Sequence, residues 1–150
     1  MKNSEKNIKA IETFFNSINE LKSLKIIRSD TIFGDIGEYL CQVVFNDLEL
    51  VKEKTMEGYD ALENENKIQI KYSGSKDAKN IDLGNPDKYD ELIVVLKKES
   101  VHIYKKDVKQ NKDYYFYRFN SKEVKEKFKT RNSDYKLSKT KHFREAIEVY

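Results

Sequence analysis

The sequence has little of three residues that shape a chain: one cysteine, one proline and five glycines in 150 positions. Because Cys41 is the single cysteine of the sequence, an intrachain disulfide and a cysteine-based zinc cluster are both excluded. So little proline and glycine argues against a linker-rich or low-complexity protein. No signal peptide is evident, and no apolar run approaches a membrane span. We therefore expect a cytoplasmic, globular protein without membrane contact.

What is present is charge, which makes up 37% of the residues against 38% hydrophobic. The length suits a single domain over residues 1–150, with one modest core. Residues 1–70 carry nine Lys/Arg and 13 Asp/Glu, whereas residues 71–150 carry 20 and 13. This imbalance favours a polyanionic partner on the C-terminal side, although a solvated lysine-rich face would give the same count.

Residues 58–72 predict a β-hairpin with a polar tip at 63–66. A four-residue loop, or a two-residue turn at Asn64-Glu65, gives the same register and brings Asp60 opposite Gln69. Alternation places Lys71 on the same polar face as Gln69. It sends the apolar side chains to the other face: Tyr59, Ala61, Ile68, Ile70 and Tyr72.

This polar face offers the groups that a metal and a phosphate require. Mg²⁺ prefers oxygen ligands, and Asp60 supplies a charged oxygen while Gln69 supplies a neutral amide oxygen. Lys71 can orient or deprotonate an attacking water, or offset charge on a phosphate. An amphipathic hairpin whose polar side chains merely face water remains the alternative on these residues alone.

A helix is predicted over residues 31–45, and it carries one carboxylate in an unusual position. Glu38 lies nearly opposite the main apolar stripe, beside small or apolar residues rather than charged ones. An unpaired buried charge is costly, so we expect Glu38 to point inward towards a partner. A glutamate at a partly exposed edge of the helix is the alternative. The stripe consists of Phe33, Ile36, Leu40, Val43 and Val44, and the neighbours of Glu38 are Gly34, Cys41 and Phe45.

The remaining helices and strands are predicted from the spacing at which hydrophobic residues recur along the sequence. An amphipathic helix over 4–24 is expected to cover the core or a partner subunit. Strands are expected at 48–51, 90–96, 101–104 and 114–119, with His102 at the surface. Residues 72–77 are expected to form a polar turn, and the segment that follows up to residue 88 is expected to be irregular or one short helix. A capped helix follows over 122–129. A last helix, beginning at Ser138 or Thr140, would bury Phe143, Ala146, Ile147 and Tyr150.

Two groups of residues are candidates for contact with nucleic acid. The turn after the hairpin offers Ser73, Ser75 and Lys76 to a phosphate, although turn chemistry alone explains serine there. The predicted C-terminal helices gather many lysines with little acid. Lys125, Lys129 and Lys139 represent this basic group, for which we expect sequence-independent contacts to a phosphate backbone.

Asp60 followed by Gln69-Ile70-Lys71, with Glu38 on the preceding helix, resembles the PD-(D/E)XK nuclease superfamily. Glutamine stands at its second acidic position. The element order over about residues 34–104 is similar to the superfamily core: a helix, three antiparallel strands, a crossover and further strands. The resemblance implies an α/β (α+β) fold, with a restriction-endonuclease-like mixed central sheet flanked by helices.

The resemblance also implies an activity. Glu38, Asp60, Gln69 and Lys71 would be catalytic, with Asp60, Gln69 and Glu38 as ligands of Mg²⁺, for which Mn²⁺ can substitute. The implied function is a Mg²⁺-dependent endonuclease that hydrolyses DNA phosphodiester bonds, in restriction or defence or on a mobile element. RNA in place of DNA stays open, and a homodimer or partner protein would supply specificity. The alternative is a non-catalytic nucleic-acid-binding or protein-interaction module that retains the fold.

Overall fold

A mixed six-stranded sheet forms the centre of the protein in a computed structural model that describes residues 4–29, 31–53, 58–74, 76–77, 79–138 and 146–150. The helices in these ranges are α1 (Ser4–Ser23), α2 (Ile32–Val44) and α3 (Ser121–Lys127). The strands are β1 (Leu48–Leu50), β2 (Ala61–Glu63), β3 (Asn66–Ser73), β4 (Ile81–Asp82), β5 (Glu91–Lys97), β6 (Tyr114–Asn120), β7 (Lys136–Leu137) and β8 (Glu148–Val149). The predicted α/β (α+β) class with a mixed central sheet is confirmed.

The sheet has the strand order β1-β2-β3-β5-β6-β8. β1, β2 and β3 form an antiparallel meander. The chain then crosses over through residues 74–90 and returns as β5, which pairs parallel with β3. β6 and β8 complete the sheet in antiparallel register. Within the crossover, β4 pairs with the distant β7, so the segment predicted as irregular contains a short strand.

The hairpin of β2 and β3 has the predicted register. Ala61 pairs with Ile68, and Leu62 pairs with Lys67. A two-residue turn at Asn64 and Glu65 closes it, and both residues have positive φ angles, of 49° and 71°. Such a turn matches the right-handed twist of the flanking strands, and asparagine tolerates this backbone region well.

The two faces of the sheet bury two different clusters. On one face, Ile68, Ile70 and Phe116 pack with Leu40 and Cys41 of α2. The opposite face buries a second cluster, to which α3 and the crossover contribute: Leu83, Tyr89, Leu92, Val94, Leu96, Tyr115, Tyr117, Phe119, Val124, Phe128 and Leu137. The strand β6, which is rich in aromatic residues, is therefore core. Tyr59 is an exception to the predicted alternation, because it packs on the second cluster and the Lys67 ammonium lies 5.4 Å from its ring centre.

α1 and α2 lie where the spacing of their apolar residues places them, but neither buries the whole of its predicted apolar stripe. The stripe of α1 is largely exposed at Ile8, Ile11, Phe14 and Phe15, so this part of α1 does not cover the core. On α2, Phe33 and Val43 are exposed, and the buried residues are Asp35, Gly37, Glu38, Leu40 and Cys41. The cause is Gly37, whose missing Cβ would lie 2.8 Å from Cβ of Tyr72. The helix backbone therefore approaches β3 on the Glu38 side.

Two predictions in the second half are wrong. Residues 101–104 form turns rather than a strand, and His102 is buried, with its Nε2 donating to the Lys79 carbonyl oxygen at 2.7 Å. The end of the chain pairs as β8 instead of continuing a helix, because Tyr115 and Phe116 offer it a sheet edge. The rest of that predicted helix, including Phe143, falls at 139–145, outside the described residues.

The predicted helix at 122–129 is confirmed as α3. Asn120 accepts a hydrogen bond from the Glu123 backbone, and Glu123 accepts one from the Asn120 backbone, which completes a capping box. No helix in the described ranges combines the length and the apolar character needed to cross a membrane.

Candidate functional site

Asp60 and Gln69 meet where the hairpin leaves its regular ladder. The Asp60 N–H donates to the Ile68 carbonyl oxygen at 2.8 Å, which extends the pairing by one residue beyond β2. Asp60 Oδ2 accepts the Ile70 N–H at 2.8 Å and Gln69 Nε2 at 2.6 Å. The carboxylate is therefore fixed against β3 by one backbone and one side-chain donor, as the predicted register requires.

Gln69 is almost completely buried, and the orientation of its amide follows from its partners. Because Nε2 is turned towards Asp60, the carbonyl oxygen Oε1 occupies the other end of the amide. Oε1 faces the crossover at Gly84, where an added Cβ would lie 4.0 Å from it. Gly84 also has a positive φ angle of 71°, which glycine adopts without strain. The glycine thus leaves space beside the amide oxygen.

Glu38 points into the protein, as predicted, and it lies near Asp60. It is 7% exposed, and Arg28 Nη2 donates to its Oε2 at 2.6 Å. Burial raises the pKa of Glu38, and the negative charge of Asp60 raises it further, whereas Arg28 lowers it. The pKa is therefore raised mainly by burial, to which the repulsion from Asp60 adds and which Arg28 partly offsets.

Arg28 is a residue of the site that the sequence reasoning missed. Its Nη1 donates to the Val51 carbonyl oxygen at 2.7 Å, so one guanidinium joins the end of β1 to Glu38. Asp35 orders the segment before α2, since its Oδ2 accepts the N–H groups of Arg28 and Ser29 at 2.7 and 2.6 Å. A signal was available, because Arg28 is the only arginine in residues 1–70 and a buried Glu38 requires a cation.

Lys71 lies two residues along β3 from Gln69 and therefore on the same face. Its strand partner is Val94, a member of the second buried cluster, and its own side chain is half-buried. Within the described ranges, no hydrogen bond or ion pair engages the Lys71 ammonium. The structure thus brings Asp60 and Gln69 into contact and couples Glu38 to Asp60 electrostatically, whereas Lys71 makes no contact with these three residues.

Cys41 lies under this site on α2 and is fully buried. Burial raises the pKa of its thiol, and the charges of Glu38 and Asp60 raise it further. The thiol therefore stays protonated and inert.

The residues predicted to contact nucleic acid are spread over two regions. Ser73 lines an open cleft at the end of β3, and Lys76 is exposed. Lys125 pairs with Asp87 at 2.6 Å, and Lys129 is exposed. α3 covers the same face of the sheet that carries Gln69 and Lys71, because Val124 packs in one cluster with their neighbours Leu92 and Val94. Ser75 and Lys139 lie outside the described residues.

No group of three His, Cys, Asp or Glu side chains among the described residues could hold a metal ion. The candidate set has two carboxylates and one amide. No protein-family model matches the chain, and no curated protein matches its sequence.

Proposed function

We propose that the protein is a Mg²⁺-dependent endonuclease of the PD-(D/E)XK type that hydrolyses DNA phosphodiester bonds. The observation that carries the proposal is the contact between Asp60 and Gln69 at 2.6 Å, with the buried Glu38 coupled electrostatically to Asp60. The order of elements supports it, because α2 precedes an antiparallel meander and a crossover to the parallel strand β5. We further propose a cytoplasmic role in defence or on a mobile element, with a homodimer or partner protein supplying specificity.

The chemistry of the donor set fits a hard cation. Asp60 and Glu38 are oxygen donors of the kind that Mg²⁺ prefers. The amide of Gln69 would join them only by turning over, because it directs Nε2 rather than Oε1 at Asp60. The mutual repulsion of Asp60 and Glu38 would also be relieved by a positive charge. When bound, the ion would polarise the scissile phosphate and acidify a water molecule.

The protein's own residues would position the reactants. Asp60 is held rigidly by its two donors on β3, so its carboxylate needs little reorganisation. Lys71 would orient the attacking water and offset the charge that grows on the phosphate. Water adds across one P–O bond, leaving a phosphate on one fragment and a hydroxyl on the other.

A second candidate is a nucleic-acid-binding module that does not cut. Gln69 favours it, because an amide brings no charge where a carboxylate would attract the cation more strongly. The 2.6 Å ion pair between Arg28 and Glu38 also favours it, since part of the site's negative charge is already neutralised.

Supercoiled plasmid DNA is the substrate that separates these two functions. Wild type should nick it with Mg²⁺ or Mn²⁺, and chelation should stop the reaction. Lys71→Ala should lower the rate by about 10²- to 10⁴-fold, the usual contribution of a positioned proton-transfer group. Asp60→Asn removes a charged ligand of the metal and should abolish cleavage. Lys67→Ala is the matched control, because Lys67 lies exposed on the same strand.

Gln69→Glu adds the missing charge and should strengthen metal binding, measured as a larger rise in melting temperature with added Mg²⁺. If wild type binds DNA but never cuts with either metal, and Asp60→Asn behaves like wild type, the non-catalytic module replaces the endonuclease.

A further inference from the structure

An open cleft of about 420 Å³ lies where β3 and β5 end, away from the Asp60–Gln69 contact. Phe33, Tyr72, Ser73, Gly74 and Lys97 line it. Its volume falls within the range of small-ligand sites, and its lining combines an aromatic wall with a few polar groups. Phe33 is 70% exposed, which is unusual for a phenylalanine on a helix that packs against the core.

The orientation of the Phe33 ring is set by its contact with Tyr72. Its ring is parallel to that of Tyr72, with 3° between the planes and 6.2 Å between the centroids. Phe33 lies one turn before Gly37, and the close approach at Gly37 brings this end of α2 over Tyr72. Burial raises the pKa of Tyr72 to about 12, and Tyr114 and Glu99 contribute, so the hydroxyl stays neutral.

The opposite wall of the cleft combines a glycine with a cation. An added Cβ on Gly74 would lie 3.0 Å from Tyr72 Oη and 3.3 Å from Lys97 Cβ, so a side chain there would crowd the cleft. The Lys97 ammonium lies 3.6 Å from the Glu99 carboxylate, in a long ion pair whose lysine is 43% exposed. It can therefore turn towards an anion at the mouth of the cleft.

We propose that this cleft binds a nucleobase from a single-stranded or unpaired nucleotide, which stacks on Phe33 while Lys97 contacts its phosphate. Every base presents a flat π surface, and aromatic side chains hold single strands by stacking on it. Tyr72 lies three residues along β3 from Gln69, so the two side chains occupy opposite faces of the sheet and the cleft is separate from the Asp60–Gln69 contact. The inference rests on the proposed function only in taking the ligand to be a nucleic acid.

The test uses the absence of tryptophan from the chain. Phe33→Trp places a single fluorescent reporter at the cleft and retains an aromatic surface. The probes are a short oligothymidylate and an abasic oligonucleotide of equal length, both in chelator at low salt so that cleavage does not intervene. We expect base-bearing DNA to quench the emission of the introduced tryptophan and abasic DNA to leave it unchanged. Val43→Trp, another exposed position of α2, is the control and should show no quenching.

Affinity gives an independent measurement. Phe33→Ala should weaken oligothymidylate binding by about 5- to 150-fold, the range expected when one base no longer stacks on an aromatic ring. The affinity for the abasic probe should hardly change, and Val43→Ala should bind as wild type does. Equal quenching by both probes, or an unchanged affinity of Phe33→Ala, would overturn the base-binding cleft while leaving the endonuclease proposal intact. A wild type that binds neither probe nor duplex DNA would overturn both.

Discussion

Arg28 governs the charge of the candidate site at the level of a single residue. Its guanidinium is the cation that contacts the buried Glu38, and it is 29% exposed at the side chain. The pKa of Glu38 is nevertheless raised, because burial and Asp60 together outweigh Arg28. The ionised form of Glu38 is therefore unfavourable in the folded protein.

The titration of Glu38 makes stability depend on pH in a predictable direction. Between the ordinary glutamate pKa of 4.5 and the raised value, the folded protein holds a proton that the unfolded chain releases. The free energy of unfolding should therefore fall as pH rises through this window. Arg28→Met removes the group that lowers this pKa, so the fall should extend to higher pH. Urea unfolding at a series of pH values measures it.

Glu38→Gln supplies the control for this experiment. When Glu38→Gln is present in both proteins, the stability difference caused by Arg28→Met should no longer depend on pH. Identical pH profiles for wild type and Arg28→Met, with Glu38 present, would contradict the assigned coupling.

At the scale of helices and strands, the features that depend on residues close in sequence could be predicted, and those that depend on distant residues could not. The register of the hairpin follows from eleven consecutive residues, 60–70, and the two-residue turn fixes it. The site residues Asp60 and Gln69 could therefore be paired from sequence. The orientation of α2 could not be derived from its apolar stripe, because the approach at Gly37 depends on Tyr72, 35 positions away. Glu38 was placed inward by its neighbours on the helix, but its partner Arg28 lies outside the helix.

The segment before β6 shows why the later prediction failed. Its alternation of apolar and polar residues resembles that of a strand. The chain is held there instead by buried polar contacts, which the spacing of hydrophobic residues cannot predict. Asp107 is 1% exposed, and its Oδ2 accepts the Tyr117 hydroxyl at 2.7 Å and the Ala146 N–H at 2.9 Å. One carboxylate thus anchors the loop and the start of the C-terminal segment to β6.

Removing this anchor should be costly. Asp107→Ala would leave the Tyr117 hydroxyl and the Ala146 N–H without their acceptor, and we expect a loss of about 2–3 kcal/mol in the free energy of unfolding. Asp113→Ala is the matched control, since its carboxylate pairs with Lys98 in solvent and should be nearly silent. Chemical denaturation measures both variants, and equal losses would show that burial of Asp107 contributes nothing special.

At the scale of the whole molecule, charge separates along the chain. The basic second half places Lys125 and Lys129 around α3, on the sheet face that carries Lys71. Lys125 is partly offset by Asp87. A nucleic-acid backbone that reaches Lys71 would thus pass a positively charged surface, which favours contact with phosphates whatever the nucleotide sequence.

Salt dependence tests this surface. Lys125→Glu with Lys129→Glu should weaken DNA binding, and the slope of log affinity against log salt should fall by about 0.9 for each phosphate that the protein no longer neutralises. Lys6→Glu with Lys9→Glu on α1 makes the same charge change elsewhere and should leave that slope unaltered. Equal slopes in all three proteins would assign Lys125 and Lys129 to solubility alone.

The parallel pairing of β3 with β5 has a consequence for how the protein is made. Arg28, Glu38, Asp60, Gln69 and Lys71 all precede the crossover, whereas the strand that supports the other edge of β3 begins at Glu91. During synthesis, the residues of the candidate site leave the ribosome before β5, the strand that pairs with β3 and holds them in place. The nascent chain therefore carries every residue of the candidate site before its scaffold exists, and the candidate site can assemble only after the following segment has been translated.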